Sequence, residues 1–154
     1  MNTKELSFLK TDFITLLSNV PPTKKGVWGK MDGQQMVEHF REVLKLANGK
    51  IILPLLNTDD TLLAKAREFM LSDKPFKENT KMPLLPEEPH KHKYATLEEA
   101  IGKVKTELQD LFTVYENDAT KTTLNPMFGY LNYAEQVHLL YKHAQHHLRQ
   151  FGLV

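Results

Sequence analysis

Asn132-Tyr133-Ala134-Glu135-Gln136-Val137-His138-Leu139-Leu140-Tyr141-Lys142-His143-Ala144-Gln145-His146-His147-Leu148-Arg149-Gln150 is the stretch that decides how this chain reads. Asn132, followed three residues on by Glu135, is a capping box, in which each side chain satisfies a backbone N–H that the first helical turn leaves free. Val137, Leu140, Tyr141, Ala144, Leu148 and Phe151 recur at steps of three and four, the period of one buried helical face. Gly152 supplies a stop. The same stretch holds four of the chain's seven histidines, so it fixes a helix and points to a chemistry together.

Working outward, three more long segments carry a helical period and none carries a strand period. Leu6, Leu9, Phe13, Leu16, Leu17 and Val20 predict a helix from about Thr3 to Ser18, ended by Pro21-Pro22. Asp32 with Gln35 caps a second, whose face is Met36, Phe40, Val43, Leu44 and Ala47 and whose stop is Gly49. Thr96-Leu97-Glu98-Glu99 reads as a capping box opening a third, from Thr96 to about Asn117. Between the second and third lies Lys50 to Ala95, with one shorter helix expected over Asp60 to Leu71. The rest of it, Ser72 to Ala95, is a Pro- and Lys-rich crossover. A connection this long with no regular structure often borders a functional site. The expectation is an all-α chain: one domain over residues 1–154, an antiparallel four-helix bundle with a long crossover carrying a short extra helix.

Composition narrows the function classes. Of 154 residues, 41% are hydrophobic and 25% charged, ordinary for a globular domain. Twenty basic and 19 acidic side chains leave a formal net charge of +1, with no electrostatic footprint for nucleic acid. No apolar run approaches the length of a membrane span. The N-terminal Met1-Asn2-Thr3-Lys4-Glu5-Leu6 has no apolar core of a secretory signal, so a cytoplasmic setting is expected. With no cysteine, thiolate metal sites and a protein-borne thiol nucleophile are excluded. Any metal rests on His, Asp and Glu, and any thiol comes with a small molecule.

Helical phase sorts the histidines. At about 100° per residue, His147 lies about 70° and His143 about 110° from the centre of the last helix's apolar stripe. Four residues apart, their rings stand on one side as a chelating pair. His39 lies about 85° from the centre of the second helix's stripe, also at the rim of the core. If the two helices are neighbours, His39, His143 and His147 meet. Three neutral imidazoles suit a divalent Zn, Ni, Fe or Mn and leave coordination positions open for water or substrate. His138 and His146 point further round, towards solvent or a partner. His90-Lys91-His92, in the crossover, reads as solvated surface. Glu38 and Glu42 flank His39 in sequence, but helical phase aims them elsewhere, and neither is assigned as a general base. Trp28 is expected to pack its loop onto the bundle, and Arg149 and Gln150 to anchor the C-terminus.

Three segments carry a family resemblance: Trp28-Gly29-Lys30-Met31-Asp32-Gly33-Gln34-Gln35-Met36-Val37-Glu38-His39, Asn125-Pro126-Met127-Phe128-Gly129, and His143-Ala144-Gln145-His146-His147-Leu148-Arg149-Gln150-Phe151-Gly152. Together they resemble the DinB/YfiT-like superfamily, and within it an uncharacterised bacterial branch, over essentially the whole chain. The resemblance implies a four-helix bundle, often dimeric. It also implies a metal on one histidine of the second helix and an HxxxH pair of the fourth, matching His39, His143 and His147. Some members are metal-dependent transferases of low-molecular-weight thiols and others are hydrolases.

The expected function is therefore a metal-dependent enzyme acting on a small-molecule substrate. A tri-histidine metal would make a nucleophile of water or of a small thiol at neutral pH. The alternative is a non-catalytic metal-binding or dimeric interaction protein, with the faces carrying His138 and His146 as its interface.

Overall fold

Both capping boxes that carry two-way bonds stand at the helices bearing the histidines. Asp32 accepts from the Gln35 amide at 2.8 Å and Gln35 Oε1 accepts from Asp32 N at 2.9 Å. Asn132 and Glu135 do the same at 3.1 and 2.9 Å. The computed structural model describes residues 1–154 and contains six helices and one small hairpin. In chain order these are α1 (Thr3–Lys10), α2 (Asp12–Leu17), α3 (Gly33–Ala47), α4 (Asp60–Leu71), α5 (Leu97–Asn117), β1 (Thr123–Asn125), β2 (Gly129–Leu131) and α6 (Tyr133–Gln150). None of the helices is long and apolar enough to cross a membrane.

The chain is mainly α, with three departures from the sequence reading. The expected first helix is broken at Thr11, whose φ/ψ of −124/−65 leaves the helical region. There the Thr11 hydroxyl donates to Ser7 O at 2.8 Å and bonds the Asp12 carboxylate at 3.1 Å, a local alternative to helical continuation. The Thr96 box is half-made: Thr96 Oγ1 accepts from Glu99 N, while Glu99 reaches past the cap to Ala95 N. The third departure is the antiparallel pair β1–β2, in register Thr123↔Leu131 and Asn125↔Gly129, where no strand was expected. Asn125 Oδ1 accepts from Met127 N and Phe128 N, and Gly129 takes a φ of +78°, so the turn chemistry was present but the strands were too short to show a period. The buried Thr123 hydroxyl fixes this hairpin by bonding Tyr115 Oη at 2.6 Å and Ala47 O at 2.9 Å.

One apolar cluster joins α1, α2, α3, α5 and α6 through Leu9, Phe13, Phe40, Leu44, Leu111 and Leu148, all fully buried. Helix α3 packs mainly on α5, and α1 on α6. The C-terminal end of helix α4 is held by a cation of α6. Buried Lys142 Nζ donates to the carbonyls of Phe69, Met70 and Ser72 at 2.7, 3.2 and 2.8 Å. It thereby satisfies carbonyls that the last turn of a helix leaves free, at the end favourable to positive charge. The irregular segment beyond α4 returns across the start of α3, where Glu38 accepts from Lys93 N and Tyr94 N at 2.8 and 3.1 Å.

Candidate metal centre

His39 on α3 and His143 and His147 on α6 come together, as helical phase predicted. Their ligand atoms lie within 4.8 Å of one another. The His39 and His143 Nε2 atoms are 3.4 Å apart, and those of His143 and His147 are 2.8 Å apart. Three nitrogens at 2.0–2.1 Å from a tetrahedral zinc would be roughly 3.3 Å apart, and cis ligands of an octahedron roughly 3.0 Å. Two of the spacings, 2.8 and 3.4 Å, bracket both, while the group as a whole spans up to 4.8 Å, so His39 and His147 would have to turn toward each other to bring the set onto an ion. No further His, Asp or Glu side chain joins the group.

The protonation states suit ligation. Burial, with a contribution from His146, pushes His39 down to about 4, against a smaller opposing effect of Glu42. Burial, and then the neighbouring imidazoles, hold His143 and His147 well below the usual imidazole range. All three are neutral at pH 7 and expose lone pairs without first losing a proton. His147 is buried, whereas His39 and His143 keep partial solvent contact, so the cluster faces outward on one side.

The surroundings are aromatic. Phe40 lies 5.4 Å, centroid to centroid, from His143, and Phe76 of the crossover lies 6.2 Å from it. Phe76 and Trp28 flank His146 at 6.2 and 5.5 Å. Lys142, beneath the ring of Phe76 at 5.1 Å, helps to hold this side of the crossover in place.

Several side chains sit elsewhere than expected. His146 is half-buried between Trp28 and Phe76 rather than directed to solvent or a partner, because the crossover covers that face. His138 bonds Glu5 Oε1 through Nδ1 at 2.9 Å, because α1 covers its face. His90 is exposed, as expected of solvated surface, but His92 bonds the N-cap Asp32 at 2.8 Å. Glu38 is spent on the crossover, and Glu42 pairs with Arg41 and Lys45; neither is bonded to His39. Trp28 packs as read. Arg149 is exposed, so it anchors nothing.

Gln150 is the residue whose part the sequence reading missed. Its Oε1 lies 2.8 Å from His147 Nδ1, and its Nε2 donates to Trp28 O at 2.9 Å. The spacing to His147, three residues along one helix, was the available signal.

Comparison of the chain with known family models, curated proteins and solved structures found no match.

Proposed function

We propose that this protein is a metal-dependent enzyme of DinB/YfiT-like type, in which His39, His143 and His147 hold one divalent ion within a four-helix bundle. The observation that carries the reading is the convergence of three neutral Nε2 donors with no fourth protein ligand. A structural site closes its coordination sphere with protein groups, whereas a catalytic one keeps a position open. Bound there, the ion would supply Lewis acidity to a water or to a small-molecule thiol.

The chain's own residues have definable parts in this. The three imidazoles bind, and need no prior deprotonation at pH 7. Phe40 and Phe76 border His143 and limit water on that side. His39 and His143 lie on the side that a substrate reaches. The absence of cysteine means that a thiol nucleophile would arrive with a cosubstrate. Thiol transfer to an electrophile and hydrolysis are the two reaction types this site serves. A cytoplasmic location and a homodimer complete the proposal.

The alternative, a non-catalytic metal-binding or interaction protein, needs the faces of His138 and His146 free. Both are engaged within the chain, which favours the enzyme.

The test is metal analysis of untagged protein with Zn, Ni, Fe and Mn offered separately, followed by assays of thiol conjugation and ester or amide hydrolysis. One equivalent of bound metal and a metal-dependent turnover are expected. Absence of stoichiometric binding by any of the four would overturn the proposal.

A further inference from the structure

We infer that Gln150 is a positioning residue that sets which nitrogen of His147 carries the proton, and that it does so on the instruction of the Trp28 loop. The inference rests on the tri-histidine reading for its consequence, but not for its geometry. A backbone carbonyl can only accept a hydrogen bond. Trp28 O lies 2.9 Å from one end of the Gln150 amide, so that end is the NH2. The oxygen end therefore faces His147 Nδ1, 2.8 Å away, and an amide oxygen can only accept. His147 Nδ1 thus carries the hydrogen and Nε2 carries the lone pair, the tautomer a metal requires at Nε2.

The chain of bonds continues. His147 Nε2, as an acceptor, lies 2.8 Å from His143 Nε2, so in the metal-free protein His143 donates from Nε2. Were both nitrogens to ligate an ion, the shared hydrogen would have to leave and His143 would have to carry its proton on Nδ1, whereas His147, held by Gln150, would need no change of tautomer.

The loop is shaped around this amide. Gly29 has a φ of +75°, and a Cβ there would stand 2.9 Å from Gln150 Nε2. A Cβ on Gly26 would stand 2.6 Å from Gln150 Cγ. Val27 N donates to Gln150 O at 2.8 Å, so the backbone of residue 150 is gripped as well. Gln150 itself is 3% exposed, and water does not compete for its amide. The glycines on either side of Val27-Trp28 thus let the loop approach closely enough for one carbonyl to orient one amide.

The experiment reads the tautomer directly. Long-range proton–nitrogen correlation spectra of the 15N-labelled, chelator-treated full chain at neutral pH report which imidazole nitrogen of His147 is protonated. In the unsubstituted protein Nδ1 is expected to be protonated and Nε2 bare. Gln150→Leu should lose that signature, Gln150→Glu should retain it through the remaining acceptor oxygen, and Gly29→Ala, which crowds the amide without removing it, should weaken it. Zinc affinity, measured by chelator competition, should fall roughly ten- to a hundredfold in Gln150→Leu and recover in Gln150→Glu. An Nε2-protonated His147 in the unsubstituted chain overturns the inference, as does an unchanged tautomer in Gln150→Leu. A changed tautomer with unchanged zinc affinity overturns the positioning role. If the tautomers behave as expected but the unsubstituted chain binds no metal, the tri-histidine reading fails while the control of His147 by Gln150 stands. Should Gln150→Leu fail to fold by circular dichroism, Gly29→Ala, which keeps every side chain of the network, decides between these outcomes.

Discussion

The Nε2 atoms of His143 and His147 stand 2.8 Å apart, one helical turn along α6, with His39 Nε2 of α3 3.4 Å from the first. Two neutral imidazoles at that distance share one hydrogen, which would have to leave for both nitrogens to ligate an ion. The histidines of this helix are thus divided by direction, and alanine substitutions should divide them the same way. His39→Ala, His143→Ala and His147→Ala should each weaken zinc or manganese binding by two or more orders of magnitude. His138→Ala and His146→Ala should leave stoichiometric binding intact, because their rings are committed to Glu5 and to the Trp28–Phe76 gap. Metal retained equally by His143→Ala and His146→Ala would contradict this division.

Two glycines should respond in opposite senses to the same added methyl. Gly102 is exposed in the second turn of α5, and a Cβ there meets nothing within 4 Å. Gly102→Ala should stabilise the chain by about 0.5–1 kcal/mol, since alanine loses less backbone entropy in a helix. A Cβ on Gly33 would fall 2.2 Å from Pro21 O and 2.4 Å from Val20 Cγ1. Gly33→Ala should separate the start of α3 from the Pro21 turn and cost about 3 kcal/mol or more. Thermal midpoints of the two variants, measured side by side, check both signs.

Lys142 should matter far more than a lysine on a helix surface. Its ammonium group is the shared partner of three carbonyls at the end of α4, and it lies over the rings of Phe69 and Phe76 at 4.5 and 5.1 Å. Lys142→Met keeps much of the side chain's volume but removes the ammonium donor from all three carbonyls, of which only Phe69 O keeps others, the Ser72 N–H and hydroxyl. A loss of about 1–3 kcal/mol is expected, or a fall in midpoint of roughly 3–10 °C. The segment from Ser72 onward should also become a faster target for limited proteolysis. A midpoint within a degree of the parent chain's would show that water replaces the ammonium without penalty.

What the sequence revealed and what it concealed differ by range. The boundaries of α3, α4, α5 and α6 were legible because caps and apolar periods act over three or four residues, as Asp32 with Gln35 and Asn132 with Glu135 show. The tri-histidine set was legible because helical phase places His143 and His147 on one side, and only the adjacency of α3 and α6 had to be assumed. The break at Thr11 was not, since its apolar stripe runs through the kink undisturbed. Nor was the β1–β2 hairpin, whose three-residue strands are fixed by Thr123 bonding Tyr115 and Ala47 from distant parts of the chain. The bond of Gln150 to His147 and the part of Lys142 went unread for a related reason. Each residue is polar and lies on a helix, and only the arrival of the Trp28 loop or the end of α4 gives it a partner.

The metal-free protein should lose stability as the solution becomes mildly acidic, and a bound metal should raise stability across that range without changing the slope. Burial holds all three site histidines below their ordinary range, His39 at about 4. In the unfolded chain each titrates near 6.5. Between those limits the unfolded chain binds more protons than the folded one, so the stability of the fold rises with pH and falls as pH drops below about 6.5. For His39 the loss runs down to about pH 4; for His143 and His147 it continues as far as their own lower values. With three imidazoles acting together, the midpoint of chelator-treated protein should drop by on the order of 10 °C between pH 7 and pH 5. His39→Leu should make that slope shallower. At pH 7, free zinc at a hundredfold excess over its Kd should add about 2.7 kcal/mol, or roughly 5–10 °C. That gain should hold while the folded imidazoles stay neutral and shrink only as acid reaches their own lowered values, near 4 for His39, because only neutral imidazoles bind. Differential scanning calorimetry across this range, with and without metal, reads both effects. An acid slope that His39→Leu leaves unchanged would mean that other groups, not these buried imidazoles, make the fold sensitive to acid.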